Sequence, residues 1–306
     1  MTKLARFSWG VLVYNLAVIA WGVYVRATRS GAGCGAHWPL CNGEVVPQSP
    51  SVEMLVEFSH RVSSGLALVA VAALLIWVWR VSAPGHPARR TAAWSMVFML
   101  TEAGLGAALV LFRLVADNAS TARAWFMAAH LTNTLLLLAC LAWTAYHLSR
   151  AQPAGVPPPS LARLRRAAVV RFGLGGLVIL LAAVSGAIAA LGDTLYPAGS
   201  LAEALGTEFS AASHLLVRLR LLHPSIAVIM AVALVITGIR VGYETSGWSR
   251  RLGFALAGVV VWQVLVGLTS VLLLAPVWMQ MVHVVSADLV WIAFVLLALE
   301  RSSATA

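Results

Sequence analysis

Glu57-Phe58-Ser59-His60-Arg61 opens an apolar run that closes near Arg80, and the length of that run decides the fold. About 20 apolar residues in helical conformation cross the roughly 30 Å hydrocarbon core of a bilayer. A carboxylate, an imidazole and a guanidinium at the mouth of such a run are costly to place, so they are functional candidates by default. Glu57 and His60 share a helical face at i, i+3, which sets an acid/base group one turn from a possible metal ligand. The plainer alternative is a helix end whose first-turn acid suits the macrodipole, beside an interfacial histidine.

Seven further runs of this kind lie near 8–26, 92–112, 124–147, 169–191, 217–240, 252–274 and 278–299. With 60% hydrophobic and 10% charged residues over 306 positions and a mean hydropathy of +0.88, the chain is outside the range of soluble domains. It reads as an all-α polytopic membrane protein with eight transmembrane helices. The first run is followed by Arg26-Ala27-Thr28-Arg29 and reads as a retained span, not a cleaved signal. The absence of a transit-like N-terminus points to a bacterial plasma membrane. An even number of spans puts both termini on one side. Lys3, Arg6, Arg80, Arg89, Arg90, Arg150, Arg163, Arg165, Arg166, Arg171, Arg240, Arg250, Arg251 and Arg301 gather there, so the positive-inside rule makes that side cytoplasmic. The net charge of +10 is then orientation signal and attraction to anionic lipid. Without aromatic interleaving or a recognised motif, it does not indicate nucleic-acid binding.

The loop from about 27 to 56 holds Gly33-Cys34-Gly35-Ala36-His37-Trp38-Pro39-Leu40-Cys41-Asn42-Gly43. On the outer, oxidising side a disulfide between Cys34 and Cys41 is the favoured reading, and a zinc site at Cys34, His37 and Cys41 is the alternative. Cys140, inside the fourth run, is a small buried apolar side chain. Glu102, in the third run, reads as a buried polar group bonded to a neighbour.

Gln152 to Ser160, followed by Arg163, Arg165 and Arg166, reads as a linker between two halves, 1–150 and 169–306, with 151–168 cytoplasmic. The second half repeats the first. His60 leading to Arg80 has its counterpart in His223 leading to Arg240, Glu102-x3-Gly106 in Gln263-x3-Gly267, and His130 in His283. A duplicated unit of four helices explains all three, and predicts two pseudo-symmetric four-helix bundles. His223 has no acid one turn before it; Arg220 stands there.

On this topology His60, His130, His223 and His283 each lie in the first turns of a helix entering from the outer face, at one depth. One such histidine is ordinarily packing; four on alternating helices suggest ligands. Facing imidazoles in a helix bundle are axial ligands for haem iron, and two pairs suit two planar cofactors better than one zinc. Arg61, Arg123, Arg218 and Arg220 then lie near the edges where propionates would emerge, or else anchor the interface by snorkelling.

Cys34-Gly35-x2-Trp38-Pro39-Leu40-Cys41-Asn42-Gly43, then Glu57-x2-His60-Arg61 and the later histidines, resembles the haem A synthase family, in the form with a cysteine pair in the first outer loop. The resemblance spans the chain. It implies an oxidoreductase that converts a methyl of haem O to a formyl group, giving haem A for cytochrome oxidase. It further implies that His60 and His130 address substrate haem O in the N-terminal half and that His223 and His283 ligate haem b in the C-terminal half. Glu57 would be the catalytic carboxylate and Cys34–Cys41 the loop disulfide. A haem O synthase and an electron donor are the partners it suggests. The later outer loop has no cysteine pair, so a thiol relay there is not expected. A di-haem b cytochrome passing electrons from quinol is the alternative that assigns nothing to Glu57, and a haem exporter or chaperone is the third.

Overall fold

The computed structural model describes residues 1–150, 161–210 and 212–304, with side chains over 1–150, 173–210 and 212–302. The segment from Gln152 to Ser160 lies outside the described residues. Within them ten α-helices follow in order: α1 Lys3–Ala27, α2 Val52–Val81, α3 Pro87–Leu111, α4 Thr121–Ser149, α5 Leu161–Leu195, α6 Leu201–Glu208, α7 Leu215–Arg218, α8 Leu222–Glu244, α9 Gly247–Leu272 and α10 Val277–Ala304. Eight stretches of the described chain are long and apolar enough to cross a membrane, with α7 and α8 together forming the sixth. Among the described residues there is no strand, only an isolated bridge between Cys41 and Glu44.

The helices outrun the apolar segments because polar residues cap them. Thr2, Ser51 and Ser120 accept hydrogen bonds from the backbone N–H groups of Ala5, Met54 and Arg123, each satisfying one of the N-terminal donors a helix leaves open. His86 does the same for Ala88, with Pro87 at the first helical position, and His214 for Leu216. These two histidines are therefore helix caps.

α1 packs on α2 and α4, and α3 packs on α2 and α4, closing a ring of four. α5 packs on α8 and α10, and α9 packs on α8 and α10, closing a second. The rings meet where α4 touches α5 and α10 and α1 touches α10. Accordingly α4 and α10 are the most buried spans, whereas α2, α3, α8 and α9 turn large apolar side chains such as Val69, Leu100, Ile229 and Leu268 outward. In hydrocarbon such faces gain nothing by hiding, so helix association rests on close packing and interhelical hydrogen bonds. Trp143 of α4 donates to the Val295 carbonyl of α10, and Trp291 of α10 donates to the Leu135 carbonyl of α4, at 3.2 and 2.6 Å. Leu138 and Leu297 are fully buried in the same core.

Polar clamps close both ends of this seam. At the end near the cysteine loop, Arg26 of α1 donates to the Ala190 carbonyl and Thr194 Oγ1 of α5 and to Gln280 Oε1 of α10 at 2.7–2.9 Å. At the opposite end, Glu300 of α10 receives the Tyr146 hydroxyl and pairs with Arg150 at 2.7 Å.

Candidate functional site

The loop before α2 is locked covalently and by hydrogen bonds. Cys34 and Cys41 form a disulfide, which consumes both thiols and removes the zinc alternative. Gly35 and Gly43 take φ of +63° and +85°, a region where glycine carries no Cβ penalty. The loop then seats on α2. Glu57, only 3% exposed, accepts from the Cys34 backbone N–H at 2.8 Å and from Arg61. Arg61 also donates to the His37 and Leu40 carbonyls, both at 2.7 Å. The acid and the base one turn apart on α2 are thus the two fasteners of the disulfide loop.

Three of the four arginines expected at haem edges donate to backbone carbonyls, two of them in loops and Arg220 at the end of α5. Besides Arg61, buried Arg123 donates to the Ala116 and Asn118 carbonyls at 2.6 and 2.9 Å, and buried Arg220 to the Gly192 and Tyr196 carbonyls, both at 2.6 Å. Arg220 Nε also lies 3.1 Å from Asp193. Arg123 Nε is buried and has no hydrogen-bond partner among the described residues. Arg218 is exposed.

His60 lies eight residues into α2, His130 nine into α4, His223 eight beyond Leu215 and His283 six into α10. At about 1.5 Å per residue these are similar depths below one face. Each ring rests against a glycine of a neighbouring helix. A Cβ would stand 3.1 Å from the His60 ring at Gly22 of α1 and 3.9 Å from the His130 ring at Gly106 of α3. It would stand 2.9 Å from the His223 ring at Gly186 of α5 and 3.0 Å from the His283 ring at Gly267 of α9. The His60, His223 and His283 rings therefore occupy space that a Cβ at Gly22, Gly186 or Gly267 would crowd, whereas a Cβ at Gly106 would make ordinary contact with the His130 ring.

The His223 and His283 rings face each other edge to face, with centroids 6.3 Å apart. Two imidazoles bound on opposite sides of one metal through one nitrogen each, with bonds of about 2 Å, would have centroids separated by about 6 Å, so this pair has the spacing of axial ligands. Among the described residues no three His, Cys, Asp or Glu side chains converge as a metal cluster.

The surroundings of the pairs differ. Beside His130, Glu102 Oε1 lies 3.3 Å from Nδ1 and receives the Thr134 hydroxyl, while Asn133 donates to Oε2 at 2.5 Å. Glu102 is thus bonded to neighbours, Thr134 and Asn133, as its sequence context suggests, and its Oε1 also approaches a candidate ligand, His130, whose Nδ1 makes no hydrogen bond among the described residues. In the second ring Gln263 occupies that place, its Nε2 at 3.3 Å from both nitrogens of His283, and Ser185 Oγ lies 3.1 Å from His223 Nδ1. His60 Nδ1 is buried without a partner among the described residues. Sequence reasoning misses Ser185 and all four glycine contacts. The repeated Glu102-x3-Gly106 and Gln263-x3-Gly267 spacing is the one available sign of them.

These features define an eight-span helical membrane protein with a disulfide-closed loop seated on α2 and a facing pair of intramembrane histidines, His223 and His283, in its second half. The chain belongs to the cytochrome oxidase assembly protein family COX15-CtaA, whose family model matches residues 5–295. Two proteins of Thermus thermophilus strains, each named "Protoheme IX farnesyltransferase", are 48% identical over 308 residues, covering 99% of this chain and 49% of each relative. The chain therefore spans about half the length of these relatives. "Heme A synthase" of Halalkalibacterium halodurans is 42% identical over 95 residues, 31% of this chain and 32% of that protein.

Proposed function

We propose that this chain is a haem A synthase, an oxidoreductase that converts a methyl group of haem O to a formyl group. The observation that carries the reading is the contrast between two otherwise similar histidine pairs. At the first, the Glu102 carboxylate lies 3.3 Å from His130 and Glu57 stands one turn before His60 on α2; at the second, the neutral Ser185 and Gln263 lie beside His223 and His283. Proton-handling groups belong where a C–H bond is oxidised, and neutral hydrogen-bonding groups suit a resident redox centre.

On this reading 1–150 and 169–306 are two pseudo-symmetric four-helix halves. His60 and His130 address the substrate haem, and His223 and His283 hold haem b. A bound haem supplies the redox power for attack on an unactivated methyl. The chain contributes position and proton transfer. Glu57 accepts a proton while the Cys34 N–H and Arg61 fix its carboxylate; Glu102, 3.3 Å from His130 Nδ1, is the group that would orient that imidazole. Arg123 and Arg220, whose buried Nε atoms make no hydrogen bond among the described residues, are the arginines proposed to pair with propionates.

The basic residues gathered on the terminal side support cytoplasmic termini, and the membrane in this reading is a bacterial plasma membrane. The Thermus relatives are named for farnesyl transfer to protohaem IX, a step that must precede oxidation of a farnesylated haem. A haem farnesyltransferase is accordingly the partner proposed to hand over substrate.

Pigment extraction from the purified chain tests the reading. Haem O and haem A alongside haem B are expected; haem B alone would favour a di-haem electron-transfer cytochrome. A second expectation concerns the glycines. Gly186→Ala forces the His223 ring to move, and overpacking of this kind costs about 1–3 kcal/mol. Haem b affinity should fall about tenfold, measured as haem bound per chain. Gly104→Ala, which faces open space, should leave it unchanged.

A further inference from the structure

A groove of about 270 Å³ runs along the outward side of α1 and α2, lined by Tyr14, Ala17, Val18, Trp21, Ser59 and Ser63. Its polar atoms are satisfied within the chain. The Trp21 indole N–H donates to Ser59 Oγ and the Tyr14 hydroxyl to the Ser63 carbonyl, both at 3.1 Å. Ser59 and Ser63 hydroxyls donate to the Val56 and His60 carbonyls at 3.0 Å. What remains for a ligand is hydrocarbon and ring surface, which fits a chain with no hydrogen-bonding groups. From Trp21 to Tyr14 the groove covers about two helical turns, roughly 10 Å.

One end of it lies beside a candidate haem ligand. Ser59 and Ser63 flank His60 on α2, and Trp21 adjoins Gly22, against which the His60 ring rests. We infer that this groove is the subsite for the isoprenoid tail of the substrate haem, and that it selects a prenylated porphyrin for the first histidine pair. The inference rests on the synthase reading, because only a haem already carrying such a tail would need it.

The second half supports the assignment by contrast. Counting from His223 and from Gly186, the positions matching Tyr14, Ala17, Val18, Trp21, Ser59 and Ser63 are Val178, Leu181, Ala182, Ser185, Leu222 and Ile226. Leu181, Leu222 and Ile226 replace the small Ala17, Ser59 and Ser63, the two aromatic walls are gone, and Ser185 turns instead to His223. A haem without a tail needs no channel there. Hydrocarbon solvent gives no hydrophobic drive to enter the groove, so selection rests on shape, and filling the groove should abolish it.

The experiment transplants two of the second half's residues as Ala17→Leu with Ser59→Leu. Purified wild type and variant are titrated in detergent with haem O and with haem B, following the absorbance change and the haem b retained at the second pair. Wild type is expected to prefer haem O for the first site. The double variant should lose that preference by about tenfold, with haem B binding and retained haem b unchanged. Should it also lose haem b, Ala17→Leu alone, at an exposed position, is read by the same ratio. An unaltered preference for haem O in a variant that keeps haem b overturns the groove assignment and leaves the synthase reading standing. A wild type that binds no haem O at the first site overturns both.

Discussion

Glu57→Gln is expected to stop haem A formation while leaving haem b content at the wild-type level. The substitution keeps the shape of the side chain and a carbonyl oxygen that can still receive the Cys34 N–H, which lies 2.8 Å from Oε2 of the native glutamate. Arg61 keeps its bonds to the His37 and Leu40 carbonyls, so the disulfide-closed loop stays seated on α2. What disappears is the ability to take up a proton. General acid–base groups contribute roughly 10²–10⁴ in rate, and haem A output should fall by about 100-fold or more, with haem O or its hydroxylated intermediate accumulating. Chromatography of extracted haems reads this directly. Undiminished haem A from the glutamine variant would reduce Glu57 to a fastener of the loop.

The eight spans are legible because hydropathy alone separates a bilayer-crossing run from everything else in this chain, and only their ends are read short, since the caps Thr2, Ser51 and Ser120 lie outside the apolar stretches. The four histidines are legible from the repeat. Their packing is not. Hydropathy cannot distinguish an apolar face that meets lipid from one that meets a helix, so nothing in α4 or α10 announces that these two form the seam. Of 24 glycines, only Gly106 and Gly267 are marked by a repeated spacing, and neither can be matched to its histidine before the helices are brought together. The arginines mark a different limit. Arg61 and Arg123 serve loops whose turns include left-handed residues, Asn42 and Ala116. Such irregular backbone lacks a ladder to satisfy its carbonyls and takes donors from side chains. A sequence shows the donor and not the carbonyl that needs it.

His283→Ala and His60→Ala are expected to remove different pigments. In the first variant haem b should fall at least about tenfold, because His223 would be left without the ring that faces it at 6.3 Å. In the second, haem b should persist and haem O and haem A should be lost. The independence of the two outcomes follows from how the halves are joined. Trp143, Trp291, Arg26 and Glu300 hold the seam through contacts that include none of the four histidines, so truncating one imidazole leaves the opposite ring of helices intact. Each ring also closes on itself through its own neighbours. Haem extraction with parallel absorbance spectra distinguishes the two variants. Equal loss of every pigment from both would mean that the histidines serve one shared centre, and the division into a substrate half and a haem b half would fall.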